Sequence, residues 1–313
     1  MTSAVAMMPA LSANILLALA AAATWGGGDF SGGMGVKAVG GTTSGALRVV
    51  LVAHASSLAV LLAILFLQHA SLPHGAPLAW GLAAGVTAGI SLTAFYIALA
   101  RGAMGGSAAL SGLLAAAIPA AVSSVLEGVP APLRVVGFVL ALAAIWLIAA
   151  GPSPESEHAV DGSEPTEKSS TTLILALVGG VGFGFYFVAL RLANPLGVLE
   201  PMAIARSGSL VTCALLLGLV SVRWKRAPIV ETKTRLTRIA VVWTLAVALL
   251  DTGGNLLFIA ATRHGRLDIA AVLASLYPAG TILLAAWHLH ERPTRRQLTG
   301  MAIAAAAVVM ITI

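Results

Sequence analysis

Residues 133–150 read LRVVGFVLALAAIWLIAA, residues 151–171 read GPSPESEHAVDGSEPTEKSST, and residues 172–191 read TLILALVGGVGFGFYFVALR. The outer two stretches are almost wholly apolar, and the middle one is almost wholly polar. A helix crosses the hydrocarbon core in about 20 residues. Only helices and closed barrels satisfy every backbone N–H and C=O there. The apolar residues run unbroken rather than alternating, which excludes a barrel. The middle stretch carries Pro152, Pro154 and Pro165 among acids and serines. It cannot bury enough apolar surface to fold, so it reads as a hydrophilic linker.

The same reading extends in both directions. Toward the N-terminus, spans fall near 11–33, 43–67, 78–100, 104–126 and 133–150. Beyond the linker they fall near 172–191, 201–222, 239–262, 267–289 and 297–313. The 313 residues are 58% hydrophobic and 10% charged, against roughly 25% charged in soluble domains. Mean hydropathy is +0.96. The chain is therefore expected to be a multi-pass protein of the plasma or inner membrane, with the lipid bilayer as its surroundings. Basic residues flanking spans account for the net charge of +6 without a nucleic-acid partner. Cys213 is alone, so no disulfide forms within the chain. No Lys or Arg precedes the apolar stretch from Ile15 to Ala23, and apolar character continues through Phe30; this is a first span, not a cleaved signal.

The two sides of the linker echo each other. Tyr96-Ile97-Ala98-Leu99-Ala100-Arg101 matches Phe258-Ile259-Ala260-Ala261-Thr262-Arg263. Arg48 matches Arg206, the Gly106 to Pro119 spacing equals that from Gly265 to Pro278, and Glu127 then Gly137 resembles Glu291 then Gly300. The expected domains are a five-helix repeat over residues 1–150, the linker over 151–171, and a second five-helix repeat over 172–313. Five is odd, so the second repeat enters the membrane inverted relative to the first. Inverted repeats of this kind underlie alternating access in secondary transporters. The expected fold class is thus an all-α membrane protein of ten transmembrane helices in two inverted repeats.

With Trp25-Gly26 in the first span, the Arg48/Arg206 pair, the two Gly-to-Pro runs and the Glu-then-Gly endings, the chain resembles the EamA-type, ten-helix branch of the drug/metabolite transporter superfamily. The resemblance covers nearly everything outside the linker. It departs at one corner, where Pro119 to Glu127 is shorter than Pro278 to Glu291. The resemblance implies secondary transport, often efflux, of amino acids, metabolites or drugs.

An ionisable residue inside a span is costly and marks a functional candidate. Asp251 lies mid-span, with Asn255 four residues on and on the same helix face. Asp29 follows the glycines 26–28, either deep in its span or at the water interface. Arg48 and Arg206 sit toward span ends; snorkelling to the headgroups is their ordinary explanation, and pairing with carboxylates at the bundle interface is the other. His54 is either a satisfied core histidine or a group that titrates near neutral pH. Trp25 and Tyr96 either meet substrate or belong to the interfacial aromatic belt. Pro119 and Pro278 are expected to break their helices at equivalent places and to serve as gates. Glycines at 81, 85 and 89, and at 180, 182 and 184, mark close helix packing. His288 and His290 diverge on a helix, so no metal site is read there.

Function follows from these choices. The first reading is a secondary transporter, in the export direction, of a small metabolite, amino acid or drug-like compound, with protons as the candidate coupling ion through Asp29 or Asp251. The alternatives are a lipid-linked carrier flippase of the same fold and, further off, a membrane-embedded enzyme. No nucleophile elbow or HExxH supports catalysis, and no P-loop supplies ATP. No cofactor is expected, and the chain is a monomer or homodimer. Lys and Arg concentrate in the odd-numbered loops, which by the positive-inside rule puts both termini outside; similar ten-helix family members carry both termini inside.

Overall fold

The computed structural model describes residues 3–70, 73–101, 104–149, 166–224, 237–288 and 293–312. All regular structure in these residues is helical. The order is α1 (Ser3–Ala38), α2 (Thr43–Leu67), α3 (Gly75–Arg101), α4 (Met104–Leu126), α5 (Pro132–Ala149), α6 (Thr166–Ala193), α7 (Leu199–Trp224), α8 (Arg238–His264), α9 (Leu267–Ala274), α10 (Tyr277–His288) and α11 (Arg295–Thr312). Among the described residues, six stretches are long and apolar enough to cross a membrane, and one of these, Leu267–His288, comprises α9 and α10 together. Large apolar side chains such as Phe66, Leu215, Leu249 and Trp287 point outward, as a lipid-facing belt requires. Helix α6 begins at Thr166, inside the stretch read as linker. Glu167 and Lys168 are good helix formers, so the helix extends beyond its apolar part. Glu291 lies outside the described residues.

Local chemistry fixes the helix ends. Thr42 caps α2 by accepting from the Gly45 amide at 3.1 Å, and Thr237 caps α8 by accepting from the Ala240 amide at 3.2 Å. The α1–α2 turn passes through Gly40 and Gly41, both in the left-handed region.

The most extensive packing runs across the linker rather than within either side of it. Helix α1 lies along α8, α3 along α6 and α7, and α5 along α11. Glycines set the close approaches. An added Cβ at Gly85 of α3 would stand 2.3 Å from the Ala205 carbonyl oxygen of α7. The α5–α11 contact is reciprocal: Gly137 of α5 abuts Ile311 of α11, and Gly300 of α11 abuts Ile148 of α5. A second reciprocity joins Gly26 of α1, against Tyr277 and Gly280 of α10, to Gly184 of α6, against Ile118 of α4.

The two prolines behave differently, which corrects the expectation of equivalent breaks. Pro278 is the second residue of α10, just past the turn at Ser275 and Leu276 that separates it from α9. Its missing N–H costs nothing in a first helical turn. Pro119 lies inside α4, which runs on without a break. Neighbouring helices, hydroxyl side chains and small local adjustments let a membrane helix carry an internal proline.

Candidate functional site

Four helices bring their polar residues to one buried place. Gly28 of α1 touches the Asp251 backbone of α8, where an added Cβ would stand 3.3 Å from the amide nitrogen. Asn14, in the N-terminal half of α1, donates to the Ala261 carbonyl near the end of α8 at 2.8 Å. The helices are therefore antiparallel, and Asp29 and Asp251 lie at similar depth. Helix α7 brings Arg206 to this level, and α2 brings His54.

Arg206 is the hub. One terminal nitrogen donates to the Asp251 carboxylate and to the Thr252 hydroxyl, the latter at 2.9 Å. The other donates to His54 Nε2. A guanidinium has only donors, so Nε2 must accept. The imidazole is therefore neutral, with its proton on Nδ1, which donates to the Ser209 hydroxyl at 2.7 Å. Asn255 donates to the Asp251 carboxylate at 3.1 Å and accepts from the Tyr186 hydroxyl at 2.8 Å. Arg206 and His54 are 2% and 1% exposed, whereas the Asp251 side chain keeps 13%. A buried ion pair of this kind survives only because its remaining hydrogen bonds are supplied.

This placement revises several expectations. Arg206 does not snorkel: α7 packs against α2 and α3 and turns its arginine inward. Trp25 and Tyr96 are 6% and 0% exposed and belong to no interfacial belt. Asp29 is buried rather than at the water interface. Arg48 is half-buried in α2, about 9 Å nearer its N-terminus than His54 by helix rise. Residues 289 and 290 lie outside the described set, and the His288 ring packs edge-on to Phe30 and Trp243.

Two further tiers lie between this cluster and the end of the bundle where α4, α6 and α8 terminate. The first is aromatic: Trp25 stacks on Phe187 at 5.0 Å, and Phe187 meets Phe258 at 4.5 Å. Gly254 makes room for Trp25, since an added Cβ would stand 2.5 Å from the indole. The second tier is polar. The Glu127 carboxylate accepts from Arg191 and from the Leu267 amide, each at 3.0 Å, and from Ser123 at 2.8 Å. Arg266 donates to the carbonyls of Glu127 and Gly128 at 3.0 and 2.7 Å and to Asp268 at 2.7 Å. The bond to Asp268 holds the Arg266 guanidinium above its ordinary pKa. Arg191 also donates to the Thr262 carbonyl, and Arg263 to that of Asn194. Sequence reading missed Tyr186, Ser209, Thr252, Arg191 and Arg266 as partners. Each is unexceptional alone; only Glu127 carried a signal, as a marker of the repeat.

Comparison with known proteins agrees with this architecture. Residues 170–313 match the model of the EamA-like transporter family. No curated protein matches the chain. Among solved structures, 21 chains match. One, titled only "Crystal structure of protein", covers 96% of both chains with a TM-score of 0.70 and 16% identity. At that identity the likeness establishes the fold.

Proposed function

We propose that this chain, which belongs to the EamA-like transporter family over residues 170–313 and is a multi-pass membrane transporter of small molecules, is a proton-coupled exporter working by alternating access. The repeats are residues 1–150 and 172–313, joined by the linker at 151–171 and inverted in the membrane. The reciprocal contacts of Gly137 with Ile311 and of Gly300 with Ile148 support that arrangement. The observation that carries the reading is the buried cluster. Arg206, Asp251, Thr252 and Ser209 all lie beyond the linker, and His54 of the first repeat is bonded to Arg206 and Ser209.

The geometry around His54 supports a coupling step. The charged groups facing His54 are Arg206 from α7 and Asp251 from α8, the latter at 3.7 Å. While His54 is neutral, its Nε2 accepts from Arg206 and ties the repeats together. A proton on Nε2 turns that acceptor into a donor and sets two cations side by side, so the bond between Arg206 and His54 is lost. Asp251, 3.7 Å from Nε2, accepts from the new N–H in its place, so the cluster exchanges one contact between the repeats for another. That exchange biases the repeats toward their other arrangement, and release of the proton on the far side restores the first. Trp25, Phe187 and Phe258 occlude the path on one side of the cluster, with the Glu127 bonds beyond them.

Reconstitution into proteoliposomes tests this. A pH gradient drives flux of a solute, chosen by a resistance screen on an overexpressing strain, through the native chain. Asp251→Asn, similar in shape, abolishes the gradient-driven part while the protein stays monodisperse. Native flux in that variant removes Asp251 from the mechanism, and flux indifferent to pH removes proton coupling.

A further inference from the structure

Beside the Arg206 cluster lies a second group of polar side chains that the coupling step does not use. Asp29 of α1 is 9% exposed, and no hydrogen bond or ion pair engages its carboxylate among the described residues. Tyr96 of α3 and Tyr277 of α10 are 0% and 4% exposed, and each buries a hydroxyl without a hydrogen-bond partner. Both phenols lie within electrostatic range of the Asp29 carboxylate.

Close contacts at two glycines bring α1 against the helices that carry the two tyrosines. Gly32, one turn beyond Asp29 and on its face, has the hydroxyl-bearing end of the Tyr96 ring directly against it, where an added Cβ would stand 2.2 Å from Cζ. Gly26, one turn before Asp29, abuts the Tyr277 carbonyl oxygen, where an added Cβ would stand 2.9 Å away. Tyr277 begins α10 just after the break in the span, and the following Pro278 supplies no N–H to the Ala274 carbonyl. Phe95 packs edge-on to Tyr277 at 6.4 Å and lies tilted against Tyr96 at 6.2 Å, closing an aromatic wall.

None of these three oxygens is bonded to another, and each lacks a donor among the described residues. A buried unpaired carboxylate in a membrane is expensive, and each unpaired hydroxyl adds a desolvation cost. A protonated amine relieves all three: its N–H groups donate to the carboxylate and the two phenol oxygens, and its charge faces the aromatic rings. Phenol oxygens are poor ligands for a hard metal ion, whose sites gather carboxylates and carbonyls. We infer that Asp29, Tyr96 and Tyr277 form a subsite for the ammonium group of an amine-bearing solute. This names the substrate class and rests on the transport reading, but the subsite binds its ligand whether or not flux is measured.

The test is calorimetry and thermal unfolding of the full chain in detergent micelles. Phenethylammonium, 2-phenylethanol and sodium chloride serve as separate probes. Phenethylammonium binds and raises the Tm; 2-phenylethanol, with the same ring and no charge, does not. Asp29→Asn weakens phenethylammonium binding roughly tenfold or more, as loss of a charge-assisted bond predicts. Tyr96→Phe and Tyr277→Phe keep their rings and each weaken it by roughly threefold, the worth of one neutral hydrogen bond. These two carry the test if Asp29→Asn does not fold. Equal binding by native and variant chains overturns the subsite, as does stabilisation by sodium without stabilisation by the amine. Amine binding without proteoliposome flux keeps the subsite and overturns transport. Flux of a solute by a chain that binds no amine does the reverse.

Discussion

Gly253 and Gly254 are neighbours in α8 with opposite surroundings. An added Cβ at Gly253 meets nothing within 4 Å, whereas at Gly254 it meets the Trp25 indole at 2.5 Å. Gly253→Ala therefore stabilises the helix by about 1 kcal/mol through propensity alone. Gly254→Ala pushes Trp25 off Phe187 and costs about 1–3 kcal/mol. Thermal unfolding of the two variants separates them, and equal shifts would mean that the stack tolerates displacement. At this scale Asp251 and Asn255 were legible because each interrupts an apolar run, four residues apart. Arg206 and His54 were visible singly, but their meeting was not. They lie 152 residues apart, and whether an arginine snorkels or turns inward depends on which helix covers it. Nothing in the sequence sets Tyr277 apart except the proline beside it, since an unpartnered hydroxyl is a property of the assembled bundle.

The helices were legible because hydrocarbon admits little else. Their existence follows from apolar length and their close contacts from glycine spacing, but not their limits: the span at 267–289 is divided into α9 and α10, and α6 begins inside the polar stretch. The Gly81, Gly85 and Gly89 stripe does place α3 against α7: the three glycines abut Ile204, Ala205 and Ser209 in turn. Gly85→Ala sets a methyl group 2.3 Å from the Ala205 carbonyl, and the helices must separate. The expected cost is about 1–3 kcal/mol, read as a lowered Tm; an unchanged Tm would mean that α3 slides without loss. Proline was a less dependable sign. Pro119 and Pro278 each follow a glycine, Gly106 and Gly265, at the same spacing, yet only the second stands at a break. Its neighbour Tyr277 has its carbonyl against the Gly26 backbone, whereas at the α4 position Ile118 meets Gly184 through its side chain. The sequence does not reveal which helix backbone is pressed from outside.

At the scale of the molecule, the bonds around Glu127 join the end of α4 to α6 and to the start of α9. Glu127→Gln removes the charge that Arg191 and the Leu267 amide share, and this end of the bundle opens more often. With Cys213 replaced by serine and a cysteine placed at Ala189, a water-soluble maleimide reacts several-fold faster in that variant. Equal rates would show that the aromatic tier alone keeps this end shut. What the apolar runs and the matched residues make legible is a reading of two sides about a polar stretch. Which ends bond across that division was not, because Arg191 and Arg266 look like ordinary loop-flanking cations.

The glycine contact shared by α5 and α11 has a mechanical consequence. On the alternating-access proposal, two rods that touch through mutually placed notches, Gly137 in one and Gly300 in the other, are the pivot whose displacement is least when the remaining helices swing. A covalent staple between α5 and α11 beside those notches should leave turnover close to that of the unstapled chain. One joining Glu127 to the Arg191 end of α6 should stop it. If both staples arrest flux equally, the moving parts do not turn about that line.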